Sequence, residues 1–130
     1  MGRVEALTAV TVAQAARAYA ACVGLDPEGR ATPEGAARAG DSFSLATGTG
    51  EVTYTLIFEG GCCWVSAAAG SGSGMTETGL RVIERQAVAK GCKRVGFQTL
   101  RRGLVRRARS IGYGVTGSVG RGVILEKQIA

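Results

Sequence analysis

A chain of 130 residues that is 45% apolar has room for one domain with one modest core and is too hydrophobic to be disordered over most of its length. Nothing approaches the ~20 consecutive apolar residues of a membrane span, and no basic segment followed by a long apolar run opens the chain. The formal charge of +6 excludes little: it fits a nucleic acid, a phosphorylated cofactor, an acidic protein surface or plain solubility.

Residues 4–23 lack Gly and Pro and are rich in alanine, and Val4, Leu7, Thr11, Ala15, Ala18 and Cys22 recur at helical spacing. That pattern predicts one long helix. Asp26-Pro27-Glu28-Gly29 signals a turn, and Thr32-Pro33-Glu34 caps a short second helix ending at Gly40. Residues 1–40 therefore read as a helical N-terminal part. Phe43–Thr47, Val52–Phe58 and Cys62–Ala68 then read as three antiparallel strands, joined through Gly48-Thr49-Gly50 and Gly60-Gly61.

The run Gly70–Gly74 leads into a helix from Met75 to Lys90, with Leu80, Ile83, Ala87 and Val88 as its buried stripe and Gly91 as its stop. Lys93–Thr99 is a strand with Val95 and Phe97 on one face. Residues 101–111 form a basic helix that turns Leu104, Val105, Ala108 and Ile111 inward. Tyr113–Val119 and Val123–Ile129 are two closing strands joined through Gly120-Arg121-Gly122. Residues 43–130 thus carry a sheet with two helices, and the whole chain reads as a single α/β (α+β) domain.

With three Phe, three Tyr and one Trp, the core must be built mainly from Val, Ile, Leu and Ala. The cysteines Cys22, Cys62, Cys63 and Cys92 show no CxxC pattern, and the chain has no histidine, so no metal site is expected. They read as free thiols packed as small core residues in a reducing compartment. Arg101, Arg102, Arg106, Arg107 and Arg109 crowd one helix. Arg102, Arg106 and Arg109 make one stripe, which could be a solvated face, a contact for nucleic-acid phosphates or a dock for an acidic partner.

The succession from residue 43 onward resembles the GCN5-related N-acetyltransferase (GNAT) superfamily, above all a group of short acetyltransferase-like proteins encoded by tailed bacteriophages. Residues 91–130 carry the resemblance: a strand, a helix opening Arg101-Arg102-Gly103, Gly112-Tyr113 before the next strand, and a closing hairpin. It implies a mixed, mostly antiparallel sheet flanked by helices, and transfer of an acyl group from acetyl-coenzyme A to an amine. The family's pyrophosphate motif, Gln/Arg-x-x-Gly-x-Gly/Ala, matches Ser71–Thr76, so Gly72, Ser73, Gly74, Met75 and Thr76 become the cofactor-binding candidates. Gly74 matches the central glycine; Ser71 stands where Gln or Arg is usual, and Thr76 where Gly or Ala is.

Many family members keep a tyrosine, which protonates the departing thiolate, at the position held here by Ala108; Arg101 stands where Asn is frequent. Among the acids beside the middle strands, Glu51 and Glu59, Glu59 is the candidate base. Tyr113, with Tyr54 as a second option, is the candidate replacement for the missing acid. The alternative implied by the phage resemblance is a particle or assembly element that uses the same scaffold without a cofactor, as a homo-oligomer or with protein partners. The expected location is the host cytoplasm or the virion.

Overall fold

The computed structural model describes residues 6–20 and 32–130. The turn expected at residues 26–29, and the positions Val4 and Cys22, lie outside the described residues.

The single helix expected over residues 4–23 is not what forms. Ala6–Ala9 is a strand, β1, and helix α1 begins only at Val12 and runs to Tyr19. Thr8, Val10, Thr11 and Val12 crowd β-branched side chains together, which favours an extended backbone. Thr11 then starts the helix through a capping box: its hydroxyl accepts from Gln14 N at 3.1 Å, and Gln14 Oε1 accepts from Thr11 N at 2.9 Å. Helix α2 (Pro33–Arg38) follows the sequence reading, with Thr32 as N-cap and Pro33 in its first turn.

Strands β2 (Asp41–Thr47), β3 (Gly50–Glu59) and β4 (Cys62–Gly72) form the expected antiparallel meander. Helix α3 (Met75–Ala89) crosses over to β5 (Arg94–Thr99). Helix α4 (Arg102–Arg109) leads to β6 (Gly114–Val119) and β7 (Gly122–Gln128). One seven-stranded sheet results, in the order β1-β2-β3-β4-β5-β7-β6. Among the described strands only β4 and β5 pair in parallel, and α3 makes the crossover that parallel neighbours need.

Neighbouring residues on β3 show that helices cover both faces. The Tyr54 hydroxyl donates to Gln86 of α3 at 2.5 Å, whereas Thr55 shares a hydrogen bond with Tyr19 of α1 at 2.6 Å. Successive side chains on a strand point to opposite faces. Helices α3 and α4 therefore lie on one side, with α1 and α2 on the other.

The α3/α4 side holds the main core, including Tyr54, Leu56, Cys63, Leu80, Ile83, Val95, Phe97, Tyr113 and Leu125, all buried. Val88, expected in the α3 stripe, is exposed. The α1/α2 side is built from alanines (Ala15 and Ala37 around Tyr19, with Ala67 and Ala69 of β4), small enough to bring the helices close to the sheet.

Candidate functional site

The site grows from one interruption in the sheet. Parallel pairing between β4 and β5 runs from Cys62 opposite Arg94 to Val65 opposite Phe97. At that level the register of β4 on β3 slips: Leu56 faces Val65 but Thr55 faces Ala67, so Ser66 is an extra, bulged residue. Beyond the bulge, β4 follows β3 as far as Gly72, and β5 follows β7 as far as Thr99 opposite Val123. The two parallel strands part there. The result is a fork between them, in which the inner backbone of β4 has no strand to pair with.

Helix α3 begins where β4 ends. Gly72 (φ 123°) and Gly74 (φ 71°) carry the reversal in left-handed conformations that L side chains rarely adopt. At Gly72 there is also no room: a Cβ would lie 2.3 Å from the Thr49 carbonyl oxygen. At Gly74 there is only open space, with nothing within 4 Å of a Cβ placed there.

Gly74 is the N-cap of α3, and no side chain caps the helix. The first helical bond runs from Thr78 N to the Gly74 carbonyl at 3.0 Å, so the amides of Met75, Thr76 and Glu77 precede the helical ladder. The loop is braced from beneath, where the Thr49 hydroxyl donates to the Ser73 carbonyl at 3.1 Å and the Met75 side chain is buried. A fixed cluster of free amides at the positive end of a 15-residue helix, with open space above a glycine, is suited to hold a phosphate.

No family model matches the sequence, and no curated protein matches it. Solved structures do match its fold. A GNAT-family acetyltransferase from Streptococcus pneumoniae superposes with a TM-score of 0.63 at 12% identity, covering 98% of this chain and 100% of that one. An N-acetyltransferase from Staphylococcus aureus Mu50 gives 0.65 at 8% identity, covering 97% and 98%. The ribosomal-protein-S5-alanine acetyltransferase from Vibrio fischeri gives 0.60 at 14% identity, covering 95% and 92%.

The chain has the GNAT fold. The residues expected to work on the GNAT scaffold are distributed unevenly. Gly72, Ser73, Gly74, Met75 and Thr76 lie together at the head of α3, where the Met75 side chain is buried. Glu59 is exposed at the other end of β3, opposite Cys62, about 30 Å of strand away from Gly50 and its partner Gly72. Glu51 pairs with Ser71 at the loop end and is exposed.

Tyr113 is buried, and its ring packs on Phe97 with centroids 5.6 Å apart. Its hydroxyl donates to Glu84 Oε2 at 2.9 Å, and Lys127 Nζ donates to both oxygens of the same carboxylate at 3.2 and 3.3 Å. Burial and then the charge of Glu84 push the Tyr113 hydroxyl well above the usual phenol range, which makes it a poorer proton donor. Burial does the same to Tyr54.

Ala108 is fully buried in the core against which α4 packs, and its carbonyl accepts from Ile111 N and Tyr113 N at 3.0 and 3.1 Å as the helix ends. Cys63 is buried, and its thiol is pushed up to about 12 by that burial and by neighbouring Cys92 and Cys62, so it offers no thiolate nucleophile. Among the described residues no group of three or more His, Cys, Asp or Glu could hold a metal ion, and no helix is long and apolar enough to cross a membrane.

Two parts of the site escape sequence reading. The bulge at Ser66 leaves no mark in an apolar run of small residues. Glu77, in the first turn of α3, has one carboxylate oxygen shielded from solvent without a hydrogen-bond partner. Its only sequence signal is an acid placed three residues after Gly74.

Proposed function

We propose that the protein is an acyl-coenzyme A-dependent N-acyltransferase. The observation that carries this reading is the uncapped, glycine-led start of α3 at the open end of the β4–β5 fork. The amides of Met75 and Thr76, with the exposed Gly72–Gly74 backbone, would hold the pyrophosphate, and the space beside Gly74 admits it. When bound, acyl-coenzyme A supplies an acyl group already activated as a thioester. The unpaired backbone of β4 beyond Val65 presents amide and carbonyl groups to an extended chain lying in the fork, as a missing strand would use them.

Direct attack by an amine needs orientation and stabilisation of the developing oxyanion rather than a protein nucleophile. The protonated, buried Cys63 agrees with that route. Helix α4 offers no proton donor at Ala108, so in this reading solvent would accept the proton lost by the amine and return one to the leaving thiolate.

Ala108 also favours a second reading. In it the scaffold serves without turnover as a structural element of a bacteriophage particle, in keeping with the resemblance of residues 91–130. Calorimetric titration with acetyl-coenzyme A separates the two readings. The enzyme reading expects one micromolar site that survives moderate salt, is kept by Gly74→Ala and is lost in Gly74→Trp. Both substitutions strain the same left-handed backbone, but only the second fills the space above the helix. Absence of binding to the unaltered protein would sink the enzyme reading and leave the structural one.

A further inference from the structure

The net charge is not spread over the molecule. Of sixteen basic residues, five are the arginines of residues 101–109, and the remaining eleven nearly balance the ten acidic ones. The excess positive charge of the sequence therefore falls in residues 101–109, four of whose arginines are on α4.

On that helix Arg102, Arg106, Arg107 and Arg109 are exposed, and no carboxylate among the described residues pairs with them. Of the acids on α3, which packs beside α4, Glu84 is bound by Tyr113 and Lys127. Arg81 of the same neighbour is also exposed. Arg102, Arg106 and Arg109 lie along one line of the helix, spanning about 10 Å.

Two features select the partner. The cations are all arginine, whose planar guanidinium pairs bidentately with phosphate oxygens. Among the described residues the face also lacks an apolar anchor: Leu104, Val105 and Ala108 turn into the core, and the exposed large hydrophobics Leu7, Val88 and Val115 lie on other elements. Protein interfaces draw most of their affinity from a few residues packed in a fully desolvated centre, which a face of exposed charges alone does not offer. A polyelectrolyte needs only charge, because neutralising its phosphates releases condensed counterions.

We propose that the outer face of α4 is a docking surface for the sugar-phosphate backbone of a nucleic acid, read without base specificity. Arg106, Arg107 and Arg109 occupy the last turn of the helix, whereas Arg102 opens it.

The test is fluorescence anisotropy with a short labelled DNA duplex of arbitrary sequence, titrated across salt. With three to four phosphates neutralised, affinity should fall roughly 40- to 150-fold between about 50 and 200 mM salt. R106E/R107E/R109E should lose at least about tenfold in affinity, while R106K/R107K/R109K, which keeps the charge but not the bidentate fork, should lose less than the charge reversal does. The control R17E/R38E/K93E makes the same change in net charge away from α4 and should bind nearly normally.

The proposal is overturned if the unaltered protein does not bind, or if the control weakens binding as much as the α4 reversal. Tighter binding to polyglutamate than to the duplex would also overturn it and assign the face to an acidic protein.

Discussion

The hydroxyls of Tyr19 and Thr55 lie 2.6 Å apart in the alanine-lined seam between α1 and the sheet, and Ser42 shares a second hydrogen bond with Thr55 at 2.7 Å. All three residues are buried, so Thr55 is the hub on which α1, β2 and β3 converge. It also stands opposite the bulge that opens the fork. Replacing Thr55 by Val keeps the shape and removes the shared oxygen. The expected cost is about 1–3 kcal/mol, because buried hydroxyls lose a partner that water cannot replace. Thr55→Ser should recover most of it. Urea unfolding of the two variants checks this, and equal stability of Val and Ser at this position would refute it.

Tyr113 yields a second expectation. Its hydroxyl is engaged by Glu84, which Lys127 also holds. Tyr113→Phe should therefore cost about 1 kcal/mol of stability and leave any acyl-transfer rate within a few-fold. A catalytic acid at this position would instead cost about 100-fold or more in kcat. Steady-state rates of the variant, measured beside its melting curve, decide between the two roles.

Much of the architecture could be read from the chain because it rests on local signals. Thr32-Pro33, Gly60-Gly61, Gly91 and Gly120-Arg121-Gly122 mark ends and turns that the structure keeps. The N-terminus misled because alanine spacing at helical period coexists with a β-branched cluster, and pairing with β2 decides the outcome for β1. That residues 72–76 lead into a helix was legible through their glycines and sequence order. The Ser66 bulge and the Tyr113–Glu84–Lys127 cluster were not, since each depends on strand register or on partners up to 43 residues apart.

Stability should decline in alkali, and Cys63 is one cause. Its ordinary value is 9.0, and burial, then Cys92 and Cys62, push it up to about 12 in the folded chain. The unfolded chain thus releases this proton near pH 9 while the folded one keeps it. The contribution of Cys63 is complete below pH 9 and drains away as pH rises toward 12. Tyr54 and Tyr113, both raised from 10.0, act in the same direction above pH 10. Urea midpoints measured from neutral pH upward should fall beyond pH 9. Cys63→Ala should start lower and fall less steeply, and an identical slope in the variant would contradict the assignment.

Glu77 sets the last expectation. A carboxylate in the first turn of α3 complements the positive helix end, but it also occupies the field that would attract a phosphate. One of its oxygens is shielded from solvent without a hydrogen-bond partner. Glu77→Gln removes the repulsion while keeping the side-chain size. At about 0.3–1 kcal/mol for a charge at a helix terminus, coenzyme A should bind roughly 2- to 5-fold more tightly. The gain should shrink as salt screens the interaction. Calorimetry of the two proteins at low and moderate salt measures it. Unchanged or weaker binding in the glutamine variant would place the phosphate away from the head of α3, and the fork would then need a different occupant.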